Sequence, residues 1–332
     1  MNRRQFGAAL LGLPALIRPA AAATRIVLGK QYGLPFLPQM VMEAQKLIEQ
    51  HAAKNGVAGL AVGWETMGGP GALNDALLTG QIQFVTVAAP SLATLWDKTA
   101  GTPQEVRGLC AVQSMPYVLV TRNAAVKTIA DLTADDRIAV PTVKISGQAM
   151  ALQMAAARLW GFDQYERLDP LTVSLGHPDA LQAMLSGQIT THFASAPFQY
   201  YELKMPGFHV VLKSYETTGG MHTNGLQVAT RQFHDANPAI CAAVMAAQDE
   251  ANAFIRANPK EAARIYIALA NEKRSSVDEM ATMIADPDLE YTTTPAKLMV
   301  LVDFMHKVGR LKRRPESWKD LFFPEAHGLQ GS

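Results

Sequence analysis

The chain has few of the residues from which nucleic-acid-binding and disulfide-rich proteins are recognised. Its 332 residues include two cysteines, 18% charged residues and 7% aromatic residues, and the formal net charge is +1. So small a net charge provides no electrostatic field for nucleic acid or for an anionic membrane, so we predict no nucleic-acid partner. Cys110 and Cys241 are distant in sequence, and two separate buried thiols are favoured over a disulfide, although an oxidising compartment would permit one.

Short motifs for catalysis and cofactor binding are also missing from the sequence. It has no Gly-x-x-x-x-Gly-Lys phosphate loop, no His-Glu-x-x-His, no Cys-x-x-Cys and no Gly-x-Ser-x-Gly. The segment from Gly69 to Asn74 fails the dinucleotide fingerprint because Asn74 stands where the last glycine belongs. The histidines are scattered, and His177 and His222 are favoured as hydrogen-bonding loop residues over metal ligands. We therefore predict no metal site, no cofactor and no enzymatic activity.

The first 23 residues have the composition of an export signal. Arg3 and Arg4 precede an apolar stretch at 7–17, which is too short to span a bilayer, and four alanines at 20–23 provide a cleavage site. Arg-Arg-x-Phe resembles the twin-arginine export motif, with Gly7 in place of the usual bulky apolar residue, and a general secretion signal is the alternative. No later apolar run approaches 18 residues, so a soluble, exported and periplasmic mature protein is predicted.

The most informative feature that the chain does contain is a repeated segment. Residues 72–90 recur as residues 179–197, and seven of the 19 aligned positions are identical, including a Leu-x-Gly-Gln-Ile motif. Each copy reads as a helix, a glycine that ends it, a short strand and a turn that ends in Ala-Pro. The apolar residues of the motif are predicted to pack each helix onto its sheet, namely Leu78, Ile82, Leu185 and Ile189. Two copies of one unit predict two similar lobes with a ligand-binding cleft between them.

The rest of the pattern predicts an α/β fold. Strands at 24–30 and 60–64 alternate with a helix at 39–55 and with the first repeat helix, an order typical of a mostly parallel sheet. After Pro238 the chain is almost wholly helical, and such an end usually packs onto a first lobe. No long linker separates two units, so the chain is predicted to cross between lobes at 115–121 and 219–228.

Three loops that precede helices are candidate binding elements. They lie at 31–38, 66–71 and 143–148, and in open α/β sheets ligands bind beyond the carboxyl ends of strands, near helix N-termini. Unpaired backbone N–H groups and the helix dipole favour a carboxylate, a sulfonate or a similar anion there. Lys144 adds a full charge or is a solvated loop residue, and Ser146 contacts the ligand or only caps a helix.

These segments together resemble periplasmic solute-binding proteins of the nitrate/sulfonate/taurine ABC-transporter group, which are related to thiamine-precursor binders. The resemblance rests on 69–82, on 131–141, on the second repeat copy and on the helical end from Pro238. It implies a type II periplasmic-binding-protein fold, in which two similar α/β lobes are joined by two crossing strands. Lobe 1 would comprise residues 24–118 and 222–332, with the helical C-terminus, and lobe 2 residues 119–221.

The function implied by this resemblance is capture of a small organic ligand in the cleft by hinge closure and its delivery to a membrane permease, by a protein that is itself a monomer. The implied pocket residues are Gln31, Tyr32, Met67, Gly68, Gly69, Ala89, Ser91, Lys144, Ser146, Gln148, Ser195, Phe198 and Thr223. No arginine lies in these loops, so a larger or weakly charged ligand competes with nitrate, taurine or another sulfonate. The alternatives are a ligand-sensing periplasmic protein and an enzyme on the same fold.

Overall fold

The computed structural model describes residues 25–332, so the predicted signal segment lies outside the described residues. This part of the chain forms two five-stranded sheets. The strands are β1 (Arg25–Lys30), β2 (Ala61–Thr66), β3 (Phe84–Val87), β4 (Val106–Ser114), β5 (Val118–Thr121), β6 (Ile138–Val140), β7 (Thr172–Ser174), β8 (Thr191–Ala194), β9 (His209–Lys213) and β10 (Thr223–Thr230). The strands at 24–30 and 60–64 were therefore predicted to within two residues.

The two sheets have the same topology. The first has the order β2-β1-β3-β10-β4 and the second the order β7-β6-β8-β5-β9. In each, the fourth strand in this order runs antiparallel to both of its neighbours, while the first three are parallel. That strand is the first one the chain forms after crossing from the other sheet, through residues 115–117 or residues 214–222. This duplicated architecture confirms the predicted two-lobed α/β fold.

Helices cover the faces of both sheets and form the C-terminal third of the chain. They are α1 (Leu37–Gln45), α2 (Leu47–Lys54), α3 (Pro70–Leu78), α4 (Ala89–Thr99), α5 (Gly147–Trp160), α6 (His177–Ser186), α7 (Phe198–Leu203), α8 (Ser214–Thr218), α9 (Arg231–Ala236), α10 (Pro238–Ala257), α11 (Pro259–Ala270), α12 (Val277–Ile284) and α13 (Leu298–Lys307). No helix within residues 25–332 is long and apolar enough to cross a membrane.

The helix predicted at 39–55 is two helices. Lys46 separates α1 from α2 in the left-handed conformation, with φ of 53°, while both helices keep their apolar face on α10. Val41, Leu47 and Ile48 are buried on either side of the break, so the apolar spacing continues across it, although Ala44 next to the break is exposed. Spacing alone therefore did not show the break.

Both copies of the repeat fold as a helix followed by a strand, as α3 with β3 and as α6 with β8. Ile82 and Ile189 are buried as predicted, but the prediction that Leu185 packs onto the sheet is wrong, since 39% of it is exposed. The helical period turns the preceding position inward instead, and Leu77 and Met184 are 1% and 0% exposed. Cys110 and Cys241 are both buried free thiols, which is the arrangement that the sequence favoured.

Candidate functional site

A pocket lies between the two lobes, at the carboxyl ends of strands from both sheets. The space between its walls, including the part that is open to solvent, is about 450 Å³. It is lined by Gln31, Tyr32, Pro35, Phe36, Pro70, Thr86, Val87, Ala88, Gln113, Tyr117, Pro141, Ser146, Gly147, Gln148, His177, Ser195, Asn224 and Gly225. None of these lining residues is Asp, Glu, Lys or Arg, so the inner pocket offers neutral hydrogen-bonding groups and apolar surface.

Four helices begin at this inner pocket. Pro70, Gly147 and His177 are the first residues of α3, α5 and α6, and Ala88 caps the N-terminus of α4. The first N–H groups of a helix lack partners within it, and the helix dipole places partial positive charge at the same end. The arrangement makes the pocket favourable for acceptor oxygens although it contains no formally charged side chain.

A layer of amide side chains forms the first-lobe wall of the pocket. Gln113 Nε2 donates to the Pro35 carbonyl at 3.3 Å and to Asn224 Oδ1 at 3.4 Å, while its Oε1 is buried without a partner. Beside it, Thr86 Oγ1 accepts from Gln39 Nε2 at 2.6 Å and donates to Gln227 Oε1 at 3.1 Å. A buried unpaired acceptor is costly, so Gln113 Oε1 is a natural partner for a ligand donor or a water.

The second-lobe wall contains a chain of buried hydrogen bonds. Gln148 Nε2 lies 3.1 Å from Ser195 Oγ and 3.2 Å from His177 Nε2. His177 Nδ1 lies 2.8 Å from His192 Nε2, and His192 Nδ1 lies 2.6 Å from Glu202 Oε1. His192 and Glu202 are fully buried, so the chain leads from the pocket into the core of the second lobe.

Burial controls the ionisation of this chain. It raises the pKa of the Glu202 carboxyl to about 9 and lowers the pKa of His192 to about 3. The pKa of His177 is held well below its usual value by burial and by the neighbouring His192. The contact between His192 and Glu202 has the geometry of an ion pair. Desolvation nevertheless disfavours the charged form of each group, and so favours a hydrogen bond between neutral groups.

Five of the thirteen predicted pocket residues line the inner pocket. Gln31 and Tyr32 follow β1, Ser146 and Gln148 flank the start of α5, and Ser195 follows β8. Ser146 Oγ also accepts from the Ala149 N–H at 3.3 Å, so this hydroxyl caps α5 at the edge of the pocket. Of the two interpretations of Ser146 that the sequence left open, the helix cap is therefore present, and contact with a ligand stays a prediction.

Three further predicted residues lie on the first-lobe loop that touches the second lobe. A Cβ atom on Gly69 would lie 2.7 Å from Thr142 Oγ1 and 2.8 Å from the Pro141 carbonyl oxygen. Gly68 lies near Gly176, whereas Met67 packs against the apolar core that includes α3 and α4. This loop therefore lies at the contact between the lobes beside the pocket.

The other predicted residues lie outside the inner pocket. Ala89 and Ser91 are buried in the first turn of α4, and Thr223 Oγ1 accepts from the Ala296 N–H at 2.8 Å. Lys144 is exposed, and its Nζ lies 3.4 Å from Glu166 Oε1 and 3.8 Å from an oxygen of Asp169. Lys144 has a φ of 64°, and its ammonium group pairs with these two carboxylates and is not part of the lining of the inner pocket.

A second, outer cavity adjoins the inner pocket, and Gln31 and Tyr32 line both. The predicted residue Phe198 lies here and stacks on His177, with ring centroids 5.3 Å apart. Trp64 and Tyr266 add aromatic surface, and Lys30 forms an ion pair with Glu43 while it lies 5.2 Å above the Trp64 ring. The outer cavity is therefore aromatic and charged, in contrast to the neutral inner pocket.

Several lining residues were not predicted from the sequence. Thr86 and Gln113 belong to this group, whereas Tyr117 and Asn224 were included only within the predicted crossing segments at 115–121 and 219–228. One signal was available, because Gln113 directly follows the apolar run 109–112 near the carboxyl end of β4. Within residues 25–332 no cluster of three or more His, Cys, Asp or Glu side chains is placed to hold a metal ion.

Comparison with solved structures identifies proteins of the same fold. The alkanesulfonate-binding protein SsuA from Xanthomonas axonopodis pv. citri, solved with bound MOPS, superposes with a TM-score of 0.68 at 17% identity, over 89% of this chain and 96% of that protein. The periplasmic aliphatic sulphonate-binding protein SsuA from Escherichia coli gives 0.65 at 16% identity, over 90% and 99%. The periplasmic nitrate-binding protein NrtA from Synechocystis PCC 6803 gives 0.66 at 15% identity, over 90% and 85%.

No curated protein matches the sequence significantly. The sequence model of one family does match, namely the NMT1/THI5-like family, over residues 56–262, which is more than half of the chain. The match covers both copies of the repeat and most of both sheets, and it confirms the resemblance inferred from those segments. The chain therefore belongs to the NMT1/THI5-like family.

Proposed function

We propose that this protein is the periplasmic solute-binding component of an ABC importer and that it holds its ligand in the inner pocket. The observation that carries the proposal is the pocket itself, which both lobes line and at which four helices begin. Ligands of two-lobed α/β proteins bind at such clefts. The similar structures named above are sulfonate- and nitrate-binding proteins, and this common architecture supports transport as the function.

The chemistry of the inner pocket favours a ligand rich in acceptor oxygens. Helix N-termini supply N–H donors, and Gln31, Asn224 and Ser195 supply neutral polar groups. Without an arginine or lysine, the pocket compensates a full charge only through dipoles, so a neutral or singly charged organic group fits best. Sulfonates are the first class to test, and the aromatic outer cavity would accommodate a tail that extends past Tyr32.

We propose that the lobes close on the ligand about the two crossing segments, with lobe 1 as residues 24–118 and 222–332 and lobe 2 as residues 119–221. The distribution of strands between the sheets supports these bounds to within one residue, since β5 of the second sheet begins at Val118. The contacts around the pocket support closure: the Leu34 N–H donates to the Ala196 carbonyl at 2.7 Å, and Arg310 Nη1 donates to the Lys144 carbonyl at 2.6 Å. Hinge closure of this kind is common in binding proteins.

Binding is favoured over catalysis by the arrangement of Ser195. Gln148 lies between Ser195 and His177, so the serine hydroxyl does not contact a histidine that would take its proton. An activated serine requires its base within hydrogen-bonding distance. The buried chain behind Gln148 is therefore better suited to holding a ligand than to attacking it.

A thermal-shift screen tests the proposed binding function. We expect a sulfonate such as taurine or MOPS, a carboxylate or another acceptor-rich compound to raise the melting temperature of residues 24–332. A ligand present at 100 times its Kd adds roughly 2.7 kcal/mol of stability. Choline serves as a cationic control and should give no shift. If only cations stabilise the protein, or if no compound does, the proposed ligand class is wrong.

We propose export through the twin-arginine route, with cleavage after Ala23. Replacing both Arg3 and Arg4 with lysine should leave unprocessed protein in the cytoplasm, because that route depends on the arginine pair whereas a general secretion signal needs only positive charge. The measurement is cell fractionation with N-terminal sequencing of the mature protein. Normal processing of the double-lysine variant would favour general secretion instead.

A further inference from the structure

The buried chain Glu202–His192–His177–Gln148 has no counterpart in the first lobe. At the repeat offset of 107 residues, His192 corresponds to Val85 and Glu202 to Leu95. Val85 and Leu95 are buried apolar residues, with 0% and 3% exposure, in the equivalent unit of the first lobe. The fold is therefore built with apolar side chains at these positions in one lobe, and buried polar groups are costly where apolar ones suffice. The fold itself therefore does not require the buried polar side chains of the second lobe, and their presence needs an explanation other than stability.

Each hydrogen bond in this series joins one donor to one acceptor. The orientation of the bond at Glu202 therefore fixes the orientation of the bonds that follow it. If Glu202 is protonated, it donates to His192 Nδ1, and His192 Nε2–H donates to His177 Nδ1. His177 then carries its proton on Nε2 and requires an acceptor, which is the Gln148 amide oxygen after a half-turn of the amide. In that arrangement the Gln148 amino group faces the pocket as a donor.

The opposite direction follows from an ionised Glu202. His192 Nδ1–H then donates to the carboxylate, His177 Nδ1–H donates to His192 Nε2, and the Gln148 amino group donates to His177 Nε2. The Gln148 oxygen would face the pocket as an acceptor. This state leaves Glu202 Oε2 as a charged, fully buried oxygen without a hydrogen-bond partner, which is unfavourable.

We propose that Glu202, His192 and His177 are positioning residues that turn the Gln148 amide so that its amino group faces the pocket, which selects ligands presenting an acceptor oxygen there. This inference rests on the proposed binding function and deepens it. The same orientation lets Ser195 donate to the Gln148 oxygen. A proton held on Glu202 therefore determines which groups on the second-lobe wall act as donors and which as acceptors. An amino group in this position carries partial positive charge, as do the helix N-termini around the pocket.

The surroundings of Glu202 support the neutral form. His192 on β8 contacts this carboxyl, with His177 on α6 behind it, and strand β5, which packs against α7, carries no charged residue. The acidic residues near α12 that approach α7 are paired elsewhere, Asp286 with Tyr200 and Glu279 with Lys204. Burial alone raises the pKa of Glu202 to about 9. Together with the unpartnered Oε2 of Glu202, this leads us to expect the donor-facing arrangement at neutral pH and its reversal in alkaline solution, as the carboxyl loses its proton.

The test is ¹⁵N NMR of the histidine rings in the ligand-free protein at residues 24–332, with the two resonance sets assigned through His177→Gln and His192→Gln. At pH 7 we expect both rings as Nε2–H tautomers. Between pH 8 and 10 both should convert together to Nδ1–H tautomers, with a midpoint at about pH 9. Nδ1–H tautomers on both rings at pH 7, or different tautomers on the two rings, would overturn the proposal.

Glu202→Gln provides the matched variant. Its amide can donate to His192 but cannot ionise, so both rings should stay Nε2–H up to pH 10. Exposed Glu65, replaced in the same way, should leave the transition unchanged. A transition that persists in Glu202→Gln assigns the switch to another group and contradicts the proposal. Because no ligand is needed, this outcome is independent of whether the thermal-shift screen finds one.

Discussion

Gly69→Ala is expected to weaken ligand binding at least tenfold while leaving the ligand-free protein folded. The new methyl group would lie 2.7 Å from Thr142 Oγ1 and 2.8 Å from the Pro141 carbonyl oxygen, on the opposite lobe. Gly69 has φ of −166° and caps α3, so alanine fits its backbone and costs only the loss of a favourable cap. The clash exists only when the lobes touch. The substitution therefore destabilises the closed conformation and, apart from the cap, does not lower the stability of the folded lobes.

Affinity for the compound identified by thermal shift, measured by calorimetry, gives the first readout, and a tenfold loss corresponds to about 1.4 kcal/mol. Small-angle scattering gives the second, since the ligand should reduce the radius of gyration of the wild type but not of Gly69→Ala. Gly68→Ala is the matched control, because a Cβ atom there meets nothing within 4 Å. Equal affinities for the Gly69 and Gly68 variants would mean that lobe contact at this loop plays no part in binding.

Gly147→Ala is expected to destabilise the protein by about 2 kcal/mol or more, the usual cost of overpacking a buried site. Gly147 is the first residue of α5, and a Cβ atom there would lie 2.5 Å from Tyr117 Cζ. Tyr117 is 4% exposed and packs against His222 and Phe193, so its ring has little room to move. Tyr117 and Gly147 both line the inner pocket, so a shift of the ring would change the shape of the pocket, and binding should fall as well.

Chemical denaturation measures this loss of stability. Gly71→Ala, in the first turn of α3, is the matched control, because its nearest contact would be an ordinary 3.9 Å. Adding Tyr117→Leu to Gly147→Ala should recover part of the loss, and a double-mutant cycle would report the coupling between the two positions. If Gly147→Ala and Gly71→Ala have the same stability, the close approach of α5 to Tyr117 is not a constraint on the fold.

The local pattern of the sequence predicted a large part of the fold. The repeated helix–glycine–strand unit predicted two similar lobes, since apolar period and glycine stops are properties of neighbouring residues. The same reasoning failed at Lys46, where a single left-handed residue divides a helix that spacing predicted as continuous. It also failed at Leu185, which points to solvent although the two copies have the same residue, Leu78 and Leu185, at this position. Identity between copies preserved the element but did not fix which positions face inward.

The candidate site likewise has features that the sequence predicted and features that only the structure revealed. The sequence alone identified the loops that precede the helices, because helix starts and their unpaired N–H groups are local features, and it predicted the α/β fold and the family. Only the tertiary structure decided which side chains of those loops reach the inner pocket, and it directed Lys144 to Glu166 and Asp169 instead. It also joined Glu202 to Gln148 through two histidines, a contact between residues 54 positions apart in sequence that no periodicity encodes. Hydrogen bonds between side chains distant in sequence depend on how the helices and strands of the second lobe pack together, and that packing is a property of the tertiary fold.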